Sequence, residues 1–337
     1  MTSHRVVKFV RPIVLGAAAV CMLVMVALRP DTTEVNVSAP SSEPPAAAGL
    51  QPAHLRPEAR PARSPVKKPD RSKPRAARPS TVRAGGAPPA LGVQFHGMWQ
   101  MYWTGPAGLT PTAMFTRHLD QLAAHRVSVL RVDLGWSGSQ PTSAPPSASS
   151  NYNRKFATVL RAANVRGMKV LVTVHQSPAW TRPGTGSEVK QLPRNADAIR
   201  PWMQFMARTY GSRVLAWEIW NEPNLEEFTG ISGSYERAAR YVPVLKAAAT
   251  GLRAGQRNAR VVFGGPAQTD DAFIADAYKL GAKRYFDVMA FHPYQGNQTT
   301  PPEAPDTQNA RWRITHLPAV VRVMAAYGDA QKPIWWT

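Results

Sequence analysis

Cysteine is almost absent from this sequence. Cys21 is the only one in 337 residues, which excludes an intramolecular disulfide and any cysteine-based metal site. Exported proteins carry disulfides without needing them, so the shortage does not fix a compartment. Acidic residues are also scarce: 21 Asp and Glu stand against 41 Lys and Arg, for a formal net charge of +20. The imbalance is uneven, with 14 Lys/Arg and 5 Asp/Glu in residues 1–90 and 27 against 16 from Leu91 onward. Residues 29–90 lack hydrophobic periodicity and hold 13 of the 32 prolines. Such a stretch cannot build a core and reads as a disordered tether, stiffened locally into polyproline II. Within it, residues 56–83 carry ten basic and two acidic side chains but no interleaved aromatics, which argues against nucleic acid. The basic run fits either an anionic envelope surface or a solvated linker of biased composition.

At the amino terminus, Arg5, Lys8 and Arg11 precede an uncharged apolar run over 13–28, closed by Arg29. Positive then apolar is the order of a secretion signal. As helix the run spans about 24 Å, slightly short of a ~30 Å hydrocarbon core. Small residues suited to cleavage are hard to place near its end. Residues 1–28 are therefore expected to be an uncleaved anchor with the amino terminus cytoplasmic, or else a signal peptide. Membrane contact falls on 13–28, and the rest of the chain is expected outside the cytoplasm, anchored or secreted.

From Leu91 onward, apolar and β-branched runs alternate with polar loops and helical stretches for 247 residues. That alternation argues for a parallel sheet covered by helices, at the ~250-residue size of one (β/α)8 barrel. Strands are predicted over 91–98, 127–133, 169–175, 214–220, 260–264 and 286–291, with another opening at 332–337. Helices are predicted from a Thr110 cap with Pro111 at its first position, then over 152–166, 196–210, 234–255 and 272–280. A last helix is striped by Trp312, Ile314, Leu317, Val321 and Met324. No glycine-rich phosphate fingerprint follows the first strand, which disfavours a doubly wound sheet. Seven strands rather than eight predict an α/β fold of TIM-barrel type, incomplete at its carboxyl end, since closure is what removes sheet edges.

Polar and aromatic residues gather where the predicted strands end: His96, Arg131, Asp133, Trp136, His175 and Trp180, then Asn221, Glu222, His292 and Tyr294. In barrels that face carries active sites, and a mouth of Trp and Tyr suits a sugar ring. The sharpest segment is Trp217-Glu218-Ile219-Trp220-Asn221-Glu222-Pro223-Asn224. A carboxylic acid there can protonate a glycosidic oxygen once burial raises its pKa, and Asn221 can bond a sugar 2-hydroxyl. Strand alternation puts Glu218 on the same side but deeper, as a buried partner for an Arg. Asp133 reads as a cap for the following loop, and Trp136 and Trp180 as stacking platforms or packing aromatics. Glu226, Glu227, Asp270 and Asp271 are mouth-side charges, but nothing in their spacing recommends them as an inverting pair at ~6.5–9.5 Å.

Together these segments resemble, in order, the large clan of retaining barrel glycosidases that includes cellulases, mannanases and β-xylosidases. Leu91-Gly-Val-Gln-Phe-His96 looks like its first strand, and Leu130-Arg131-Val-Asp133 like its second, whose Arg supports the nucleophile. Gln176-Ser-Pro-Ala-Trp180 looks like the loop after strand three in the family-39-like branch. Asn221-Glu222-Pro223 matches the Asn and acid/base after strand four, and Phe291-His292-Pro-Tyr294 the strand whose His and Tyr line the sugar site. The resemblance implies hydrolysis of O-glycosidic bonds in an extracellular or envelope polysaccharide, with Glu222 as acid/base and no cofactor or metal. Substrate binding then falls to Arg131, Trp136, His175, Trp180, Asn221, His292 and Tyr294. It also implies a nucleophilic Glu directly after the residue matching Thr337, so the sequence is expected to be truncated before its nucleophile. Retaining hydrolysis needs two carboxylates about 5–5.5 Å apart. The alternative is a sugar-binding barrel without turnover. A metal-dependent hydrolase using His96, His175 and His292 is disfavoured, because no strand carries the paired histidines such sites start with. The basic excess after Leu91 fits an anionic substrate or mere surface bias.

Overall fold

A parallel strand pair needs a crossover to bring the chain back to the same end, usually a helix, and among the described residues that unit repeats six times. The computed structural model describes residues 90–100, 110–182, 190–294, 299–307 and 313–337. The expected anchor, the tether up to residue 89 and Trp312 lie outside the described residues. The strands are β1 (Gly92–Gln94), β2 (Val129–Gly135), β3 (Lys169–His175), β4 (Ala216–Ile219), β5 (Val261–Phe263), β6 (Met289–Phe291) and β7 (Ile334–Trp336). Between them run α1 (Pro111–Ala124), α2 (Asn151–Asn164), α3 (Ile199–Tyr210), α4 (Ser234–Gly255), α5 (Asp271–Lys279) and α6 (Leu317–Ala326).

Strands β1 to β5 pair in parallel in chain order, and β6 pairs with β7 in the same sense. A Val262–Val288 bridge carries the order from β5 toward β6. A doubly wound sheet reverses its order at a switch point; this one does not, and it forms the wall of an α/β barrel. Residues Pro88–Thr337 make one compact unit. Among the described residues no helix is long and apolar enough to cross a membrane.

Three of these helices, α1, α2 and α5, begin where a side chain satisfies one of the first N–H groups. Thr110 Oγ1 accepts from Ala113 N at 3.2 Å, Ser150 Oγ from Asn153 N at 3.2 Å and Asp270 Oδ1 from Phe273 N at 3.0 Å. Alternate strand residues then divide the interior. Leu130, Val132, Val170, Val172 and Val174 join the large cluster under the helices. Leu171, Ala216, Val262, Val288 and Ala290 form a separate apolar cluster, the floor inside the wall. Helices α3 and α4 pack backbone to backbone, since a Cβ at Gly251 would run into the Arg200 carbonyl.

Several predicted boundaries shift. The first strand is only Gly92–Gln94 and gives way to a helical turn at Gly97–Gln100. The second starts two residues late because Val127 N still closes the end of α1, on Leu122 O at 3.0 Å. In α6 the buried residues are Ala319, Val320 and Met324, while Val321 is exposed. The helix starts at Leu317, with Ile314 in a separate 3₁₀ turn; of the expected stripe, Leu317 and Met324 do pack on the core, and Val321 does not.

Candidate active site

Residues two apart on a strand point the same way, and above the apolar floor this period stacks polar side chains from successive strands. Arg131 on β2 reaches three of them. Its Nε donates to Glu218 Oε2 at 2.7 Å, Nη1 to Gln94 Oε1 at 2.6 Å and Nη2 to Asn221 Oδ1 at 2.9 Å. Glu218, wholly buried on β4, also accepts from Thr173 Oγ1 at 2.5 Å, Thr337 Oγ1 at 2.8 Å and Gly265 N at 3.3 Å. Burial opposes both charges, yet the mutual field prevails: the Glu218 carboxyl lies below its usual range and the Arg131 guanidinium above. This is the buried ion pair expected for Glu218.

One layer nearer the mouth, the chain leaves β4 through strained backbone. Trp220 and Glu222 have φ of 75° and 46°, and Gln176 and Gln268, past β3 and β5, have φ of 64° and 63°. Left-handed backbone at such residues costs on the order of 1–3 kcal/mol each and concentrates at functional sites. Trp220 is held by its Nε1 on Phe228 O at 2.6 Å, and Glu222 by its N on Gly265 O at 3.0 Å. So turned, Glu222 Oε1 accepts from His292 Nδ1 at 2.7 Å and from Tyr294 OH at 3.0 Å. Arg131 Nη2 faces His292 Nε2 at 3.4 Å. A guanidinium can only donate, so Nε2 accepts and the ring proton sits on Nδ1, toward Glu222. Gly265 makes room for this, because a Cβ there would stand 2.8 Å from His292 Nε2.

Burial pushes the Glu222 carboxyl up, but the donated bond and field of His292, then Tyr294 and Arg131, outweigh it and hold the group below its usual range. That reverses the raised pKa expected from burial alone. The Tyr294 phenol is pushed up by burial and by the charge of Glu222.

Asp133 does not cap a loop. It lies within β2, where its Oδ2 accepts from Gln94 Nε2 at 2.9 Å and from His96 Nδ1 at 3.0 Å. Burial opposes its ionisation, but the His96 bond and the fields of His175 and Arg131 hold its pKa at about 2. His175, at the end of β3, has both ring nitrogens buried without a hydrogen-bond partner, and burial pushes its pKa down.

Arg131, Asn221, Glu222, His292 and Tyr294 thus form one bonded cluster, with His175 beside Asp133. Trp180 is 39% exposed and sets its edge against Trp136 at 5.8 Å. Trp136 itself is wholly buried, stacked on Trp202 at 5.6 Å, with Nε1 on Gln140 Oε1 at 3.0 Å. With no open face it packs rather than binds, which corrects its expected place among the sugar-stacking residues. The loop charges have structural partners: Asp270 caps α5 and accepts from Asn224 Nδ2 at 3.0 Å, Glu226 accepts from Ser232, Glu227 pairs with Lys190 and Asp271 with His316. Gln94, Thr173 and Thr337 were not anticipated. The signal that would have found the first two is a repeated polar-x-polar pattern at three successive strand ends: Gln94-x-His96, Arg131-x-Asp133 and Thr173-x-His175.

A parallel α/β barrel with a carboxylate, an Asn, a His and a Tyr clustered past its strand ends has the architecture of the barrel glycoside hydrolases. The chain belongs to the cellulase family, glycosyl hydrolase family 5, whose model matches residues 86–321. It thereby falls in the glycosidase clan that its motifs resemble. Among solved structures it is similar to a family 39 glycoside hydrolase from the gut symbiont Bacteroides cellulosilyticus WH2. That pair shares 19% identity at a TM-score of 0.53, over 73% of this chain and 49% of the other. A monomeric β-xylosidase from Caulobacter crescentus CB15 matches at 15% identity and a TM-score of 0.51, over 73% and 51%. A family 39 enzyme from Xanthomonas axonopodis pv. citri matches at 14% and 0.51, over 75% and 52%. The chain spans about half the length of these proteins, and at such identities the likeness is one of fold. Comparison with curated proteins gave no match.

Proposed function

We propose that the protein hydrolyses O-glycosidic bonds of an extracellular or envelope polysaccharide with retention, Glu222 acting first as acid and then as base. The observation that carries the reading is the Glu222 carboxyl at the barrel mouth, one oxygen fixed by His292 and Tyr294. Held below its usual range, it suits the base half of such a cycle. The acid half needs its pKa lifted, and a second carboxylate about 5–5.5 Å away supplies that by like-charge repulsion. We assign that nucleophile to a Glu directly after Thr337 in the native protein, on a wall completed by an eighth strand. Support comes from Thr337, whose hydroxyl bonds Glu218 beneath the site and whose N bonds Phe291 O at 3.3 Å, which sets this end of β7 beside the strand that carries His292.

Arg131 would orient Asn221 and His292, Asn221 would meet a sugar hydroxyl, and Trp180 would offer its exposed face to a ring. Glu222→Gln in the native protein is expected to lower turnover of a polysaccharide substrate about 10²–10⁴-fold; undiminished turnover would rule out the assignment. A sugar-binding barrel without turnover is favoured only by the lowered carboxyl of Glu222. It predicts that wild type and Glu222→Gln bind oligosaccharide while neither cleaves it. The charge order of residues 1–29 supports a location outside the cytoplasm, anchored through 13–28 or secreted, with the basic tether against an anionic envelope surface.

A further inference from the structure

Independently of the glycosidase reading, we propose that the face of the barrel opposite its mouth docks on an anionic lipid bilayer. In a parallel barrel each helix returns the chain to the amino ends of the strands, so helix-to-strand connections line one face and strand-to-helix connections the other. The first set comprises 125–128, 165–168, 211–215, 256–260, 280–288 and 327–333, and holds eight Lys/Arg against two Asp/Glu. The second set holds four against seven among its described residues. Both acids of the first set are already committed, Asp287 to Arg253 at 3.1 Å and Asp329 to Lys332 at 2.8 Å. The basic excess after Leu91 therefore gathers away from the mouth.

Basic side chains in the last turn of a helix are ordinary complements to its dipole, but that effect fades within the turn. Arg126, Lys169, Arg257, Arg260 and Arg284 lie beyond the ends of α1, α2, α4 and α5, and all five are exposed. Among the described residues none of the five forms an ion pair. Helix capping does not account for them, and an anionic surface does.

Two observations favour lipid over a soluble polyanion. Leu91 and Val165, 56% and 73% exposed, stand among these charges. Leu91 O accepts from Ser128 N at 3.0 Å, and Ser128 O from Lys169 N at 2.9 Å. Mixed basic and apolar side chains suit a headgroup layer, where the charges meet acidic lipid and the apolar tips reach acyl chains. The chain also enters the barrel on this face, at Leu91, and the sequence ahead of it holds the basic run of 56–83 and the apolar run of 13–28. Docked this way, the barrel would turn its mouth away from the bilayer.

The test is hydrogen exchange, read by mass spectrometry, of the full chain in phosphatidylcholine vesicles with and without phosphatidylglycerol. Exchange at 125–128, 165–169 and 256–260 is expected to slow only with phosphatidylglycerol and to recover at high salt, as screening requires, with 220–233 unchanged. Each Lys or Arg at such a surface is worth about fivefold. The combined variant Arg126→Gln, Lys169→Gln, Arg257→Gln and Arg260→Gln, its tether intact, should lower the protection at least about tenfold. Near-UV circular dichroism checks that the variant is folded. Should it not fold, the wild-type pattern and its salt dependence decide. Protection at 220–233 instead, no protection in the three loops, or a folded variant with undiminished protection overturns the proposal. So does protection by soluble polygalacturonate but not by the vesicles, which would assign the face to a polymer.

Discussion

Glu218 and Glu222 are four residues apart on one segment, and their surroundings give them different work. Glu218 has four donors and no exposure, so its charge is spent inside the barrel holding Arg131 and Thr337. Glu222 has donors on one oxygen only, which leaves the other for chemistry. Asp133 sits between these extremes, and its environment sets a measurable pH dependence. Its pKa falls from 3.8 to about 2 on folding, so the unfolded chain binds its proton more tightly. The stability it contributes is present above the unfolded value and is lost as pH falls toward 2. The difference amounts to about 2 kcal/mol. Urea unfolding at pH 6 and near pH 2 should show wild type losing about that much more than Asp133→Asn; equal losses would contradict the burial and bonding described. At this scale the sequence brought Glu222, Asn221, Arg131, His292 and Tyr294 into view through three separate motifs, each at the end of a predicted strand. Trp136 misled, because a Trp at a strand end has the same one-letter signal whether its ring faces the mouth or, as here, Trp202.

Among elements, α4 and β3 were legible to the residue, since clear punctuation bounds each: Gly233 and Gly255 for α4, and Gly167 before the apolar, mostly β-branched run of β3. β1 was not. Its apolar run continues past Gln94, but Gly97 lets the chain turn helical, and no local signal marks the change. α6 was legible in part: Leu317 and Met324 pack on the core, but Leu-Pro-Ala-Val-Val-Arg-Val-Met-Ala-Ala is apolar on more than one face, so nothing local told Val320, which is buried, from Val321, which is exposed. The α3–α4 contact was equally hidden, because a glycine in a helix reads only as a weakness until its neighbour is known. Gly251→Ala should cost about 1–3 kcal/mol, the penalty for overpacking a tight contact, despite the better helix propensity of Ala. Chemical denaturation reads this directly, and an unchanged or raised midpoint would mean that the two helices part easily.

For the whole molecule, the ordering of the interior is what joins fold to function. Parallel strands in chain order put like positions at like heights, which gives an apolar floor, then the Arg131–Glu218 layer, then the mouth. Each layer fixes the one above: Glu218 holds Arg131, Arg131 sets the tautomer of His292, and His292 holds Glu222. The retaining hydrolysis proposed for this stack fixes the stereochemistry of the product. Proton NMR of the native protein acting on a polysaccharide, read before mutarotation, should show the first-formed anomer with the configuration of the bond cleaved. A first-formed product of opposite configuration would contradict the account, since it would require a water between more widely spaced carboxylates and a different partner for Glu222.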